Sequence, residues 1–383
     1  MKKIVYCIPS LYIPGGMERV LTIKANYLAD VLGYDIYIIL TDGKDKKPYY
    51  ALSPNIHIIQ LDIDFEILWK SSLHKKIIIY LKKQYLYKKA LKDLLQKIKP
   101  DITISMLRRE INFINSIKDG SIKIGEIHVN RDNFRDINNR ENSSIIRKYI
   151  EKYWTWQLIK KLKLLSSFIV LTNEDKEKWK ELNNVTVIPN PLPFFPESKS
   201  ECDSKKVIAV GRYVNQKGFD LLIDAWCIVT PKHPDWTLNI YGGGERKPYI
   251  NQVQSAGISD TCKLEGSTAN IIEKYQESSI FVLSSRFEGF GMVIAEAMSC
   301  GLPVVSFACP CGPRDIIKNG IDGILVNKEN IEQMAESICY LIENENIRKE
   351  MGRKARINIE KFKIEYIGKQ WDLLFKELSN KKF

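Results

Sequence analysis

The 383-residue sequence has no long apolar run. Its first apolar stretch, Ile4–Ile8, is only five residues long, whereas a helix needs about 20 apolar residues to span a membrane. Polar residues and glycines follow soon after it, which is unlike the apolar region of a signal peptide. We therefore expect no membrane-spanning helix and no signal peptide, and we predict a protein that works in the cytoplasm.

Cysteine pairs of the kind that bind zinc are also missing. The eight cysteines are scattered, and only Cys309 and Cys311 lie close together in sequence. This spread is typical of reduced thiols in a cytosolic protein. Because the glycine patterns that bind dinucleotides are absent as well, a nicotinamide dehydrogenase is not indicated.

Acidic residues are in the minority, but only in one half of the chain. The net charge is +12. Residues 1–200 hold 34 lysines and arginines against 22 acidic residues, whereas residues 201–383 hold 24 of each. Two halves that differ so much in charge are expected to contact different partners. No RNA-binding motif with paired aromatic residues accompanies the basic half, so we expect no nucleic-acid partner.

What the sequence does contain is a regular alternation of short apolar strands and helices, which is typical of parallel sheets covered on both faces. The alternation stops at 189–196, where four prolines in eight residues exclude a helix or a central strand. We predict an α/β protein with two doubly wound domains, residues 1–195 and 204–363. The predicted strands are Lys3–Pro9, Tyr34–Leu40, Ile56–Leu61, Ile102–Met106, Ile122–His128, Lys206–Val210, Thr237–Tyr241, Ile280–Leu283 and Val304–Phe307.

The densest chemical signal is the segment from Ser285 to Val305. It predicts a strand end, a loop with Gly289 and Gly291, and a helix over about 292–300. Glu288 lies in the loop and Glu296 in the helix, and the amides of Phe290, Gly291 and Met292 at the helix start can bind an anion. This order suits a sugar, a diphosphate and a ribose. A glycine loop that merely caps a helix, with both glutamates solvated, remains the alternative.

A second cluster, Arg212 and Lys217, follows the first strand of the second domain. Open α/β sheets bind ligands at the carboxyl ends of their strands. Two exposed cations at this place match a diphosphate leaving group, whose negative charge grows as the glycosidic bond breaks. Two solvated surface cations are the alternative. In the first domain, Gly15 and Gly16 form a glycine turn at a helix start, which is a weak phosphate signal.

Taken together and in this order, the motifs resemble glycosyltransferase family 4. The residues that carry the resemblance are Gly15-Gly16-Met17-Glu18, Gly211-Arg212 with Lys217-Gly218, and the segment from Glu288 to Pro303. The resemblance implies the GT-B fold, in which two Rossmann-like domains face each other across a cleft. It also implies metal-independent transfer that retains the anomeric configuration, and a C-terminal helix at about 364–383 that crosses back to the first domain.

The resemblance also implies roles for single residues. Arg212 and Lys217 would hold the diphosphate, Glu296 the ribose hydroxyls, and Glu288 with the backbone of 289–292 the donor sugar. Gly15 and Gly16 would approach the phosphates or the acceptor. His128 resembles the family's active-site histidine, with an ordinary strand-end histidine as the alternative. Gly243, in Ile240-Tyr-Gly-Gly-Gly244, and Leu264-Glu-Gly266 resemble the turns on the nucleotide side.

We therefore predict a hexose-type sugar transferase for cell-surface polysaccharide synthesis. The donor would be a nucleoside diphosphate sugar, with uridine favoured over guanosine, and the acceptor a saccharide carried on a lipid. No cofactor and no metal are expected. Asp62-Ile-Asp64 has the Asp-x-Asp pattern of metal-dependent transferases, but it follows a strand of the first domain, far in sequence from the predicted phosphate cluster. The alternative function is a nucleotide-sugar-binding scaffold that has lost catalysis.

Two basic stretches of the first domain also carry apolar and aromatic residues. Residues 70–99 contain ten lysines and one acid, Asp93, and residues 147–165 include Tyr149, Tyr153, Trp154 and Trp156. Lysines bind anionic lipids, and apolar side chains on the same helix enter the headgroup region. We predict peripheral binding to an anionic membrane that is lost when Lys75, Lys76, Lys82 and Lys83 become glutamate. A solvated helix face, whose apolar stripe packs on the first domain, is the alternative.

Overall fold

The computed structural model describes residues 2–70, 73–134 and 145–381. It divides the chain into two compact units: Met1–Pro191 together with Ile364–Phe383, and Leu192–Lys363. Each unit contains one parallel β-sheet with helices between its strands. Among the described residues, no helix is long and apolar enough to cross a membrane.

The sheet of the first unit has seven strands in the order β3-β2-β1-β4-β5-β6-β7. Strand β1, which lies between β2 and β4, reads Lys-Ile-Val-Tyr-Cys-Ile and is buried almost throughout, as expected for an interior parallel strand covered on both faces. The strands are β1 Lys3–Ile8, β2 Asp35–Leu40, β3 Ile56–Gln60, β4 Ile102–Ser105, β5 Ile122–Glu126, β6 Ser167–Val170 and β7 Val185–Val187. The helices between them are α1 Gly16–Asp30, α2 Leu73–Ile98, α3 Ile145–Lys163 and α4 Asn173–Lys178.

The sheet of the second unit has six strands in the order β10-β9-β8-β11-β12-β13. Its core is built from α5, α10 and the strands between them, around the fully buried Trp226. The strands are β8 Lys206–Val210, β9 Thr237–Tyr241, β10 Cys262–Glu265, β11 Ile280–Leu283, β12 Val304–Phe307 and β13 Gly323–Val326. The helices are α5 Phe219–Val229, α6 Lys247–Ser255, α7 Ile271–Gln276, α8 Met292–Ser299, α9 Pro313–Ile316, α10 Ile331–Glu343 and α11 Glu345–Ile359.

The last helix, α12 Ile364–Asn380, belongs to the first unit. Its buried face includes Trp371 and Phe375. The Phe375 ring lies edge-on against the Tyr34 ring at 5.6 Å, and the Tyr34 hydroxyl donates to Asp372 at 2.7 Å. The packing therefore joins the C-terminal segment to the beginning of the chain.

The predicted α/β class with two parallel-sheet domains is confirmed, whereas some predicted bounds shift. The first unit ends at Pro191, four residues before the predicted boundary. The reason is that Leu192 already bonds within the second unit, where its N–H donates to the carbonyl of Phe362 at 2.8 Å. The strand predicted as Ile122–His128 ends at Glu126, so His128 lies in the loop that follows it.

Candidate functional site

The predicted phosphate cluster lies where the strand order of the second unit reverses. The chain runs from β8 outward to β9 and β10, then returns to β11 on the other side of β8. The loops after β8 and β11 therefore diverge from neighbouring strands, which is where open α/β sheets bind ligands. Lys217 lies in the first of these loops and Glu288 in the second.

Lys217 and Glu288 form an ion pair. The Lys217 Nζ lies 2.7 Å from Glu288 Oε1, and the two side chains are 14% and 8% exposed. The Ser285 hydroxyl donates to the same oxygen at 2.6 Å. Our expectation that Lys217 is an exposed cation is wrong, because the loop folds its ammonium against a carboxylate 71 residues later in the chain.

Arg212 differs from Lys217 in its surroundings. It is exposed, and within the described part of the chain its guanidinium takes part in no ion pair. The two predicted cations therefore follow the same strand, but only Lys217 is joined to Glu288. Arg212 matches the solvated alternative that the sequence leaves open, while its position after β8 still gives it access to a ligand at the strand ends.

The loop after β11 leads into helix α8 through two glycines. Gly289 is partly buried, and Gly291 is the N-cap of α8 with a φ of 90°, which favours glycine. No side chain of the described residues caps this helix start. Phe290 is buried, and its ring lies edge-on to that of Phe362 at 5.4 Å. Met292 is the first helical residue, so the amides of this segment lie at an uncapped helix start, and anion binding there stays a prediction.

Glu296 lies one turn into the same helix and is buried. The hydroxyl of Tyr275, which is fully buried, donates to Glu296 Oε2 at 3.0 Å. Sequence reasoning missed both Tyr275 and Ser285 as partners of the two glutamates. Nothing in the local sequence marks Tyr275, because its contact depends on how the loops and helices pack.

The turn at Gly243 is held by the loop after β8. The N–H of Tyr213 donates to the Gly243 carbonyl at 2.8 Å, while the Tyr213 hydroxyl donates to the carbonyls of Ile240 at 2.7 Å and Glu265 at 3.0 Å. Burial raises the pKa of the Tyr213 phenol, so this hydroxyl stays protonated as a donor. Tyr213 thus fixes both predicted nucleotide-side turns to β8, a role that the sequence does not reveal.

The other predicted residues belong to the first unit. Gly15 is the N-cap of α1 and Gly16 its exposed first residue. Glu18, in the first turn, is partly buried, and burial is the main cause that raises the pKa of its carboxyl. His128 is 9% exposed, and its Nε2 lies 3.1 Å from Glu126 Oε1. The structure therefore gives His128 a carboxylate neighbour two residues earlier in the chain.

Glu126 also pairs with a buried lysine. Lys24, on α1, donates to Glu126 Oε2. Burial favours the protonated acid, but the Lys24 ammonium and His128 outweigh it and lower the pKa of Glu126 to about 2. Glu126 is therefore a carboxylate throughout the neutral range.

The Asp-x-Asp pair lies in a pocket of about 320 Å³ after β2 and β3. Lysines line this pocket too, and Lys44 Nζ lies 3.3 Å from Asp62. In the part of the chain that the structure describes, no group of three histidine, cysteine or acidic side chains is arranged to hold a metal ion. Asp62 and Asp64 therefore share their pocket with lysines.

Comparison with known proteins identifies a family to which this chain is similar. The family described as "Glycosyl transferases group 1" matches residues 193–358. An uncharacterized glycosyltransferase of Haemophilus influenzae is 30% identical over 377 residues, covering 97% of this chain and 99% of the relative. A second relative is an α-1,4-N-acetyl-D-galactosaminyltransferase of Campylobacter jejuni, whose name says that it acts on an undecaprenol-linked glycan. It is 24% identical, and the match covers 99% of this chain and 100% of the relative.

Solved structures agree with the fold. The crystal structure of TarM superposes with a TM-score of 0.79 at 21% identity and covers 98% of this chain and 99% of that one. The Anabaena protein HepE, solved with UDP and glucose, superposes with a TM-score of 0.70 at 17% identity, covering 98% and 100%. The fold is GT-B, with two Rossmann-like α/β domains. The chain belongs to the group 1 glycosyltransferases.

Proposed function

We propose that this enzyme is a retaining, metal-independent transferase of family 4 that moves a hexose-type sugar from a nucleoside diphosphate to a saccharide acceptor. The observation that carries the proposal is the Lys217–Glu288 ion pair beside the uncapped start of α8, at the reversal point of the second sheet. Cation, carboxylate and helix amides then lie together at the place where this type of sheet binds ligands.

The diphosphate is assigned to Lys217, Arg212 and the amides at 290–292. An ammonium has three N–H donors, so Lys217 can bind a phosphate oxygen while it still pairs with Glu288. Arg212 brings a second cation from the same loop. Each charge-assisted hydrogen bond contributes about 1.5–3 kcal/mol. If that energy is realised as charge grows on the leaving group, it amounts to roughly ten- to a hundredfold in rate.

Glu288 and Glu296 have different assignments. Glu288 adjoins the proposed phosphate cation, so we assign it to the hydroxyls of the donor sugar, with Gly289 and the backbone up to Met292. Glu296, held by Tyr275, is assigned to the ribose hydroxyls. Gly243 and its neighbouring turns contact the nucleotide. We favour uridine over guanosine, and the UDP present in solved structures of HepE and of a TarM variant supports this choice.

The first unit supplies the acceptor side. We assign Gly15 and Gly16 to approach the phosphates or the acceptor, and His128 to a hydroxyl of the reacting sugar. In a retaining transfer of this kind, the leaving diphosphate accepts the acceptor's proton on the same face, so a separate base is not required. The α-linkage in the names of two relatives supports retention from an α-linked donor. These are the Campylobacter transferase and a poly(ribitol-phosphate) α-N-acetylglucosaminyltransferase of Staphylococcus aureus, which is 32% identical over 66% of this chain and 50% of its own length.

The acceptor is proposed to be a lipid-linked saccharide of a cell-surface polymer. Relatives named for amylovoran, poly(ribitol-phosphate) and undecaprenol-linked glycans support this class of acceptor. It also suits the basic half of the chain, because undecaprenol-type carriers bear an anionic diphosphate. The reaction then belongs to cell-surface polysaccharide synthesis.

A membrane contact through α2 and α3 is part of the proposal. The second half of α2 packs in the core through Tyr87, Leu91 and Leu95, whereas its first half leaves apolar residues exposed. These are Ile77, Ile78, Leu81, Tyr85 and Leu86, at 44–70% exposure. On α3, the exposed aromatic residues are Tyr149, Tyr153, Trp154 and Trp156. Apolar side chains among lysines match an anionic membrane surface on the cytoplasmic side.

A donor panel tests the proposed function. Purified protein is incubated with uridine and guanosine diphosphate sugars, and the released nucleoside diphosphate is measured with and without EDTA. We expect slow hydrolysis of a uridine diphosphate hexose that EDTA leaves unchanged. A protein that binds the donor in a thermal shift assay but releases no nucleotide, with or without acceptor extract, would instead be the inactive scaffold.

A further inference from the structure

A lysine buried in the first unit carries a further inference. Lys24, on α1, is 1% exposed. Its ammonium lies 4.0 Å from the centre of the Trp371 ring and 5.0 Å from that of Tyr6. Removing an ammonium from water is costly unless it is paired, so a lysine at this position needs a reason.

The anionic partner of Lys24 is Glu126, the last residue of β5, which is 2% exposed. One carboxylate oxygen, Oε2, binds Lys24, and the other, Oε1, lies 3.1 Å from His128 Nε2, a buried nitrogen whose N–H is not aligned with Oε1 itself or with any other acceptor among the described residues. The carboxylate is therefore shared between a lysine from α1 and the histidine of the loop after β5. The Lys24 contact fixes how the carboxylate is rotated, and the rotation decides which oxygen faces the imidazole.

A carboxylate beside one ring nitrogen determines the tautomer of a neutral histidine. The nitrogen that faces the carboxylate carries the proton, and the other nitrogen becomes the hydrogen-bond acceptor. Here Nε2 faces the carboxylate, so Nδ1 is the acceptor. Buried ion pairs are not themselves strong evidence of stabilisation, because desolvation opposes their attraction. A role in orienting His128 explains why the pair is present.

We propose that Lys24 and Glu126 are positioning residues that hold His128 as the Nε2–H tautomer and present its Nδ1 to a substrate hydroxyl. The proposal rests on the function proposed for His128. Trp371 of α12 completes the arrangement by covering the Lys24 ammonium. The C-terminal helix thereby contributes to the orientation of His128 through its contact with Lys24.

The test reads the tautomer and the reaction separately. The full chain has four histidines, so ¹⁵N NMR of the imidazoles, with His128→Gln to assign the signal, reports the His128 tautomer. Glu126→Gln and the double variant Lys24→Met/Glu126→Gln remove the carboxylate. The double variant also removes the lysine charge that Glu126→Gln alone would leave unpaired. It therefore tests the inference even if the single variant does not fold. Lys123→Met is the matched control, since it removes a largely buried lysine, paired with Asp119 at 2.6 Å, from the same strand.

We expect the Nε2–H tautomer in the wild type and a mixture of tautomers in both variants that lack Glu126. In Lys24→Met, the carboxylate loses the contact that fixes its rotation, so we expect a mixture of tautomers there as well. Transfer should fall by roughly ten- to a hundredfold in all three, the range seen when partners that orient a histidine are removed. Lys123→Met should change neither the His128 spectrum nor transfer.

Two results would overturn the inference alone. The first is a His128 tautomer that stays unchanged in Glu126→Gln and in the double variant. The second is a changed tautomer with normal transfer in these variants, while His128→Gln lowers transfer. If His128→Gln itself transfers normally, the role proposed for His128 fails, and the positioning role fails with it. Donor hydrolysis by the same preparation then shows whether the remainder of the proposed function stands.

Discussion

At the scale of single residues, the pairing of Lys217 with Glu288 changes what each mutation should do. The sequence predicts both residues as site residues but assigns them to different parts of the donor. Their contact joins positions 71 residues apart, so no local pattern contains it. Tyr275 lies 21 residues before Glu296, so its contact is not visible in the local sequence either, whereas the contact of Ser285 with Glu288 spans only three residues.

Lys217→Ala should therefore lower both activity and stability. Transfer should drop by ten- to a hundredfold or more as the phosphate cation is lost. The free energy of unfolding should fall by about 1–3 kcal/mol, because Glu288 is left buried without its cation. Urea unfolding and donor turnover measure the two effects.

Two further variants separate those effects. Lys217→Met/Glu288→Gln should regain most of the stability but not the transfer, since neither charge remains. Lys205→Ala breaks an exposed pair with Asp235 and should change neither stability nor turnover appreciably. Near-normal turnover in folded Lys217→Ala would remove this lysine from the mechanism.

The two glutamates should respond differently in a nucleotide-binding experiment. Glu296→Gln should weaken UDP binding, because its proposed partners are ribose hydroxyls. Glu288→Gln should not weaken it, because the change frees Lys217 from a competing anion, but it should reduce transfer. Calorimetry measures the UDP affinity of each variant, and turnover of the donor sugar measures its activity. Equal losses of UDP affinity in both variants would show that the assignments are wrong.

At the scale of elements, most apolar strands were predicted from the sequence, but the apolar strands β6 and β13 were missed. Lys206–Val210, Thr237–Tyr241 and Val304–Phe307 have the predicted bounds, since each is a short apolar run. The strand β7 was missed because it has only three residues and no buried pattern. The strand β10 was missed because its sequence, Cys-Lys-Leu-Glu, is half charged. Helix α2 is different, because packing within the first unit does not explain why the apolar side chains of its first half are exposed. We attribute this exposure to the proposed membrane contact.

The loop before α8 depends on a second loop that the sequence did not connect with it. Gly312 has a φ of 115°, and a Cβ there would lie 2.1 Å from the carbonyl oxygen of Phe290. Gly312→Ala should lose about 1–3 kcal/mol from backbone strain and a similar amount from the clash, and donor turnover should fall with it. Gly320→Ala is the control, because Gly320 also has a positive φ but open space around it. Equal stability and turnover of the two variants would contradict this link between the loops.

The exposed half of α2 should bind anionic vesicles. We expect salt-sensitive sedimentation of the protein with phosphatidylglycerol vesicles, lost when Lys75, Lys76 and Lys82 become glutamate, since each lysine contributes at most about 1 kcal/mol. Lys83 is left out of the set predicted from the sequence because its ammonium donates to the carbonyl of Ile63. Lys118→Glu/Lys232→Glu/Lys263→Glu, in other elements of the chain, is the control for charge alone. Wild-type protein that ignores these vesicles even at low salt would refute the membrane contact.

At the scale of the whole molecule, the two-domain α/β architecture was predictable because the proline-rich break separates two complete alternations of strand and helix. The placement of α12 in the first unit, which the family resemblance implies, rests on contacts such as that between Tyr34 and Asp372, more than 300 residues apart in sequence. The excess of positive charge lies in the half of the chain that contains α2 and α3, the helices of the proposed membrane contact. The neutral half contains the predicted donor site.

The most direct test of the central claim is the anomeric configuration of the first-formed product. An α-linked uridine diphosphate hexose is incubated with the enzyme and a saccharide acceptor in EDTA, and the ¹H NMR spectrum of the glycosidic product, which cannot mutarotate, is recorded. We predict release of UDP together with an α-anomeric product, formed at the same rate with or without the chelator. A β-anomeric product, or turnover that appears only after Mn²⁺ or Mg²⁺ is added, would contradict the account.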